Sequence, residues 1–346
     1  MRKAWLAAAA AILLAFTSAA GLPEAHAAPL LQDGESLSIR TRPITQFQRG
    51  SDATRFGKLT FLGGLDLSLP AKKYGGISAL ITLEGGASHL AVTDDARWIA
   101  FELQQDANGR PLGITSARTA LALDPKGTVL QNSKAWDTEG MTLGINGKRT
   151  ELFVSVERVN RIYRFAWPLT SGKAKALSQV ETPEGFRKLR GNKGPEALAG
   201  SALSSPLKGG LVAIGERNPD AAKNTLPGFI IGGPLAGSFE IERSGEFDAT
   251  EAEFLPGGDL LLLERRFNMQ DWIGMRLRRF KGSEIRPGAK LKGEILLEAG
   301  PSHEIDNMEA LGIHKDAAGR VILTLMSDNN RSLLQRTLLL RFRLDD

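Results

Sequence analysis

The 346-residue chain contains no cysteine, four histidines and few aromatic residues, 6% of the total. Without Cys there is no disulfide framework, no thiolate zinc or iron–sulfur site, no Cys nucleophile and no lipid-modified N-terminal Cys. The histidines stand at 26, 89, 303 and 314, too few and too scattered for a multi-histidine metal centre. A metal held by this chain takes oxygen ligands, which favours calcium or magnesium. A basic stripe is also missing. The 44 Lys+Arg and 39 Asp+Glu are interspersed and sum to +5, so nucleic acid is excluded as a partner. A mild attraction for small anionic substrates is what the charge implies, and nothing in the pattern sets an oligomeric state.

Long apolar runs are absent except at the start. Arg2-Lys3 precedes an apolar stretch from Ala7 to Leu14, followed by Ala25-His26-Ala27 among small residues. This reads as a secretory signal peptide, residues 1–27, cleaved after Ala27. Thr17, Ser18 and Pro23 break the stretch, which argues against a membrane anchor. The expectation is a periplasmic or secreted protein with no integral membrane segment after cleavage.

The rest of the chain offers short runs of Val, Ile, Leu and Phe bounded by Gly, Pro, Asp and Asn, such as 151–156, 210–214, 259–263, 321–326 and 337–342. That pattern reads as many short strands. A unit recurs: a Glu followed by a small and an apolar residue, a Gly turn, an apolar strand, then an acidic residue with a polar neighbour. Units begin at Glu139, Glu196, Glu253 (or Glu251) and Glu309, spaced 57, 57 and 56 residues. Their second strands end at Glu157-Arg158, Glu216-Arg217, Glu264-Arg265 and Asp328-Asn329. A degenerate first unit runs from Gly76-Ile77-Ser78 to Asp94-Asp95.

About four strands per repeat predicts an all-β propeller, five blades favoured and six the alternative. The last unit lacks an outermost strand, which residues 58–69 supply, so N- and C-terminal strands close the ring. An irregular sandwich or two β domains are the competing architectures. The expected division is signal peptide 1–27, N-terminal extension 28–56 and propeller 57–346.

Innermost strands line a propeller's channel, so the recurring Glu residues converge on one axis. Converging carboxylates need a cation, a proton or arginines beside them. Glu139, Glu196, Glu253 and Glu309, with Asp306, Asn307 and Asp328, form a candidate oxygen-ligand set for a divalent cation, calcium first. The Glu-Arg pairs at the second strands have an equally good reading as braces between blades. Lys193, beside Glu196, is a candidate anion contact or part of the turn 191–194. His303 is a weaker acid–base candidate. There is no Gly-x-Ser-x-Gly elbow and no strand–loop–helix phosphate loop.

The succession Gly75-Gly76-Ile77-Ser78, Asp137-Thr138-Glu139-Gly140, Ser155-Val156-Glu157-Arg158, Asn192-Lys193-Gly194-Pro195-Glu196-Ala197-Leu198, Leu263-Glu264-Arg265-Arg266-Phe267, Asp306-Asn307-Met308-Glu309-Ala310 and Ser327-Asp328-Asn329-Asn330 resembles the phytase-like family. Bacterial members are often described as "esterase-like activity of phytase" proteins. The resemblance implies a secreted repeat β protein acting on phosphate or other esters. The acidic signature of the calcium-dependent β-propeller phytases is not recognisable, and Ser78 replaces Glu in the first unit. Two classes of function follow. One is a metal-assisted ester hydrolase in which Glu139, Glu196 or Glu309 is the general base and Arg158, Lys193, Arg217 or Arg265 holds the anion; a lactonase-type propeller would use similar parts. The other is a non-catalytic binding or scaffold propeller around a structural cation.

Overall fold

A computed structural model describes residues 29–69, 74–133, 135–189, 194–220 and 222–345. Five sheets stand around one axis, each a blade of at least four strands and antiparallel save for a short parallel edge strand, Lys290–Leu291, in the third. Their inner strands are Ile77–Leu83, Thr138–Asn146, Pro195–Gly200, Asp248–Phe254 and Asn307–Lys315, in blades one to five. Each inner strand packs on the next, and that of blade five packs on that of blade one. The ring is therefore closed, and the five-bladed propeller expected from the repeats is the fold.

Apolar runs rather than alternating patterns build the second strands because both faces of a blade are covered. In blade four, Leu261 and Leu263 enter the core shared with blade five, while Leu260 and Leu262 enter the core shared with blade three. Five apolar clusters result, one in each interface between neighbouring blades.

Closure is made in blade five. Leu59–Ser68 pairs antiparallel with Thr337–Leu344 and supplies the strand that the C-terminal unit lacks. Leu338, Leu339, Leu340 and Phe342 of the C-terminal strand are all fully buried. Residues preceding this strand are used as well. Arg40–Ile44 adds to the outer edge of blade five, and Glu35–Ser36 to that of blade one. Residues 1–27, expected from the sequence to be a signal peptide, lie outside the described residues. No helix among the described residues is long and apolar enough to cross a membrane.

Candidate active site at the mouth of the channel

Every inner strand carries a bulge near its start, and the bulges define the true register of the repeat. In blades one, three, four and five the extra residue is Ser78, Glu196, Thr250 and Glu309. In blade two, Glu139 and Gly140 oppose Ser155 alone. A bulge re-aims one side chain out of the alternation, and here it turns the same position of each blade toward the channel mouth. The structural equivalents are thus Ser78, Glu139, Glu196, Thr250 and Glu309. Spacings of 57, 54 and 59 separate the last four. The even spacing that selected Glu253 as the third unit's start does not match the register. Glu253 lies three residues deeper, beside a cavity of about 120 Å³ lined also by Thr82 and Thr142.

The second strands give a surrounding ring. Thr93, Val156, Gly215, Glu264 and Ser327 occupy equivalent ladder positions. The residues that follow are Asp94, Glu157, Glu216, Arg265 and Asp328. Blade four therefore contributes no acid to either ring and places a guanidinium there instead. Glu264, which looked equivalent to Glu157 and Glu216, is one residue out of phase. Its carboxylate is fully buried inside the blade, held by Arg276 at 2.9 Å and Arg278 at 2.6 Å.

Backbone approach between blades fixes these acids. The Gly194 N–H donates to Glu157 Oε1 at 2.9 Å, and the Gly76 N–H to Asp328 Oδ1 at 2.6 Å. A Cβ on Gly194 would lie 2.1 Å from Glu157 Cγ, so only glycine permits the contact. Gly76 has φ 83, and a Cβ there would meet Asp94 Oδ1 at 2.1 Å.

The charges at the mouth do not cancel. Asp94 is clamped by Arg331, Asp248 by Arg217 and Arg243, and Asp137 by Arg158 at 3.2 Å, with Arg158 also stacked on Trp136. Arg265 spans Glu309 at 3.0 Å and Glu216 at 3.6 Å. Asn307 Nδ2 donates to Glu309 Oε1 at 2.7 Å. No described residue hydrogen-bonds or ion-pairs with the Glu139 or Glu196 carboxylates. Glu139 is half-buried.

Burial and then mutual repulsion raise these acids. Burial, followed by Asp137 and Glu309, pushes Glu139 well above the carboxylate range; burial, followed by Glu139 and Glu157, does the same to Glu196. Burial raises Glu157 to about 7 despite the Gly194 N–H, and Glu309 to about 7 despite Arg265. Asp328 rises to about 6 for the same first reason. Oxygens of Asp137, Glu139 and Glu157 lie within 4.8 Å of one another, a separation one cation can bridge. The donor set is all hard oxygen, with Arg158 its one paired cation, and three carboxyl groups so placed fit a divalent cation.

Of the residues singled out from sequence, Glu139, Glu196, Glu309, Asp328, Arg158, Arg217 and Arg265 gather at the mouth. Asp306 turns aside and accepts from the Asn307 N–H and the Arg336 N–H, while Asn307 serves as a donor to Glu309. His303 packs at 4.9 Å between ring centroids against Phe47, away from the acids. Lys193 lies outside the described residues. Sequence reasoning overlooked Asp137 and Arg331. Asp137 was signalled by its place two residues before Glu139, where blade one has Gly76, and its φ of 77 shows the same left-handed turn. A cavity of about 620 Å³ opens at the far ends of the inner strands. Its acid, Asp259, is already held by Arg279 and the Gly282 N–H, so it offers no comparable chemistry.

The profile of the family described as "Phytase-like: Esterase-like activity of phytase" matches residues 72–331. The chain belongs to that phytase-like family. The matched span holds both rings of the mouth, blades two to four complete and the four main strands of blade one, with the closing strand 59–68 outside it. No protein of curated function matches the sequence. Among solved structures, similarity is found to the endo-arabinase of Bacteroides thetaiotaomicron VPI-5482, at 10% identity over 78% of this chain and 95% of that one, TM-score 0.45. The PQQ-bound aldose sugar dehydrogenase of Streptomyces coelicolor is similar at 14% identity, over 84% and 99% of the two chains, TM-score 0.40. The α-L-arabinanase of Cellvibrio cellulosa in complex with arabinohexaose is similar at 13%, over 77% and 91%, TM-score 0.43. These likenesses are too distant to inform the chemistry of this phytase-like site.

Proposed function

We propose that this phytase-like propeller is an exported hydrolase of phosphate or other esters, assisted by a divalent cation, calcium first, at the channel mouth. The observation that carries the reading is the triad Asp137, Glu139 and Glu157, whose oxygens lie within 4.8 Å of one another and whose three carboxyl groups face one paired guanidinium, Arg158. These three would hold the cation. Bound there, a divalent ion supplies Lewis-acid polarisation of a phosphoryl or acyl oxygen.

The chain's own residues divide the remaining work. Glu196 has no donor to it and burial raises its basicity, which suits its carboxylate form to take a proton from the attacking water. Glu309 is pinned by Asn307 and Arg265, so it sets the position of the guanidinium more than it moves protons. Arg265, flanked by acids from blades three and five, is the group best placed to hold an anionic substrate, with Arg158 and Arg217 on the rim and Lys193 a further candidate. Asp328 adds negative charge to the outer ring, whereas Glu253 lies too deep to join the triad.

The test is turnover of p-nitrophenyl phosphate, bis-p-nitrophenyl phosphate and p-nitrophenyl butyrate by purified protein with and without chelator. Chelator-sensitive hydrolysis that is lost in Glu139→Gln and Glu196→Gln supports the reading. Cation binding with no turnover of any ester would favour a scaffold propeller with a structural ion. The braces Gly194 N–H to Glu157 and Gly76 N–H to Asp328 are the observations that speak for that second role. Export is part of the proposal: mass spectrometry of the mature protein should begin at Ala28, and an intact Met1 would contradict it.

A further inference from the structure

Blade four carries the guanidinium of the mouth, and the same hairpin rises past it with apolar side chains that nothing covers. Nine large apolar residues are exposed among the described residues. Five of them stand on two neighbouring connections at the mouth: Phe267, Met269 and Trp272 on blade four, Leu333 and Leu334 on blade five. The corresponding turns of blades one and two, at 94–96 and 157–160, are short, so the mouth is walled on one side and low on the other.

The register fixes which way part of this wall faces. Leu260–Asn268 and Trp272–Phe280 pair without a bulge from end to end. Alternation therefore sets Arg265, Phe267 and the cross-strand neighbour Ile273 on the face that bears Leu261, Leu263, Met275 and Leu277. That face is turned toward blade five, whose loop carries Leu333 and Leu334. Phe267 lies about 7 Å further along the strand than Arg265, the length of one small organic group. Trp272 is held at φ 56, a left-handed conformation that bulky residues rarely adopt, yet it is 63% exposed and gains no core packing from it.

We propose that this wall binds the apolar part, aryl or acyl, of an anionic ester whose charged end lies at Arg265 and the carboxylate triad. The inference rests on the ester-hydrolase reading for the charged end and adds the substrate class. Continuity with Arg265 on one strand face argues for a small ligand spanning both. An anionic bilayer is a poorer occupant, because Glu246 stands against Asn268 at the hairpin tip and Asp271 pairs with Arg266, the cation nearest to it.

The experiment compares binding of benzylphosphonate and methylphosphonate to the calcium-loaded protein by calorimetry. Neither carries a hydrolysable bond, so binding is read apart from turnover. The wild type should bind benzylphosphonate at least tenfold more tightly. That gap should fall below threefold in Phe267→Ser/Trp272→Ser and shrink in Leu333→Ser/Leu334→Ser. All four positions are exposed, and melting curves will show that the variants fold. Equal affinities in the wild type, no binding of either compound, or a gap that survives in both variants overturns the wall. Discrimination in binding without turnover of any ester overturns the hydrolase reading and leaves the wall standing.

Discussion

Cation binding at the mouth should be tied to proton release, and the sign follows from the raised acids. In the cation-free protein Glu157, raised to about 7, holds a proton at pH 6, and the protons of Glu139 and Glu196 are held more tightly than those of an ordinary carboxyl. A cation must displace at least one of them. Displacing one proton per ion makes the dissociation constant fall about tenfold for each pH unit up to about 7. With calcium in excess, each tenfold adds about 1.4 kcal/mol to the stability of the loaded form. At about 2 °C per kcal/mol for a chain of this size, the calcium-induced rise in Tm should grow by about 3 °C between pH 6 and 7. Taking the difference between calcium and chelator removes pH effects common to both forms. This matters because burial depresses His314 to about 4 and also lowers His89. Lowered His residues contribute stability above about 6.5 that is lost as pH falls, the opposite sense to the raised acids, whose contribution is lost as pH rises through about 7. Calorimetry at pH 6.5 in two buffers of different ionisation enthalpy counts the protons directly, and at least one per calcium is expected. Calcium binding with a buffer-independent enthalpy and a pH-independent gain in Tm would refute the reasoning.

Three further outcomes are expected. Deleting residues 336–346 removes four fully buried side chains, each contributing about 1.5–3 kcal/mol, from the strand that closes the ring; against a total of about 5–15 kcal/mol the protein should unfold, and an unchanged melting curve would contradict closure. Glu264→Gln leaves Arg276 and Arg278 buried without their charge partner, so stability should drop by about 3–5 kcal/mol while the calcium-dependent shift in Tm persists. Gly194→Ala forces a methyl against Glu157 and should weaken calcium binding by about tenfold or more without removing the propeller's circular-dichroism spectrum; unchanged affinity would show that Glu157 is not a ligand.

Much of the fold was legible because a propeller repeats its strands, and repetition survives in apolar runs such as 259–263 and in the recurring Glu. Ring closure was legible because the last unit was one strand short and 58–69 had the right character. The site was legible only in part, and the loss has a physical cause. Loops between strands change length freely, so equal spacing does not guarantee equal position. The interval that selected Glu253 ignored a three-residue drift, and the bulge shows Thr250 in its place. At Glu264-Arg265 the dipeptide matched Glu157-Arg158 by type, but strand phase turned the Glu inward to Arg276 and Arg278. Asp137 escaped notice because it stands before the inner strand, outside the recurring Glu pattern, and meets Glu157 only once the hairpin of blade two is closed by the Glu157 N–H to Asp137 carbonyl bond.

The central claim is that Asp137, Glu139 and Glu157 hold a divalent cation. The most direct measurement is anomalous diffraction from a crystal soaked in a calcium salt near pH 7.5. The account predicts one strong peak within coordination distance of oxygens from all three side chains, absent from crystals of Glu139→Gln. A mouth without a peak, its acids hydrogen-bonded to one another through retained protons, would contradict it.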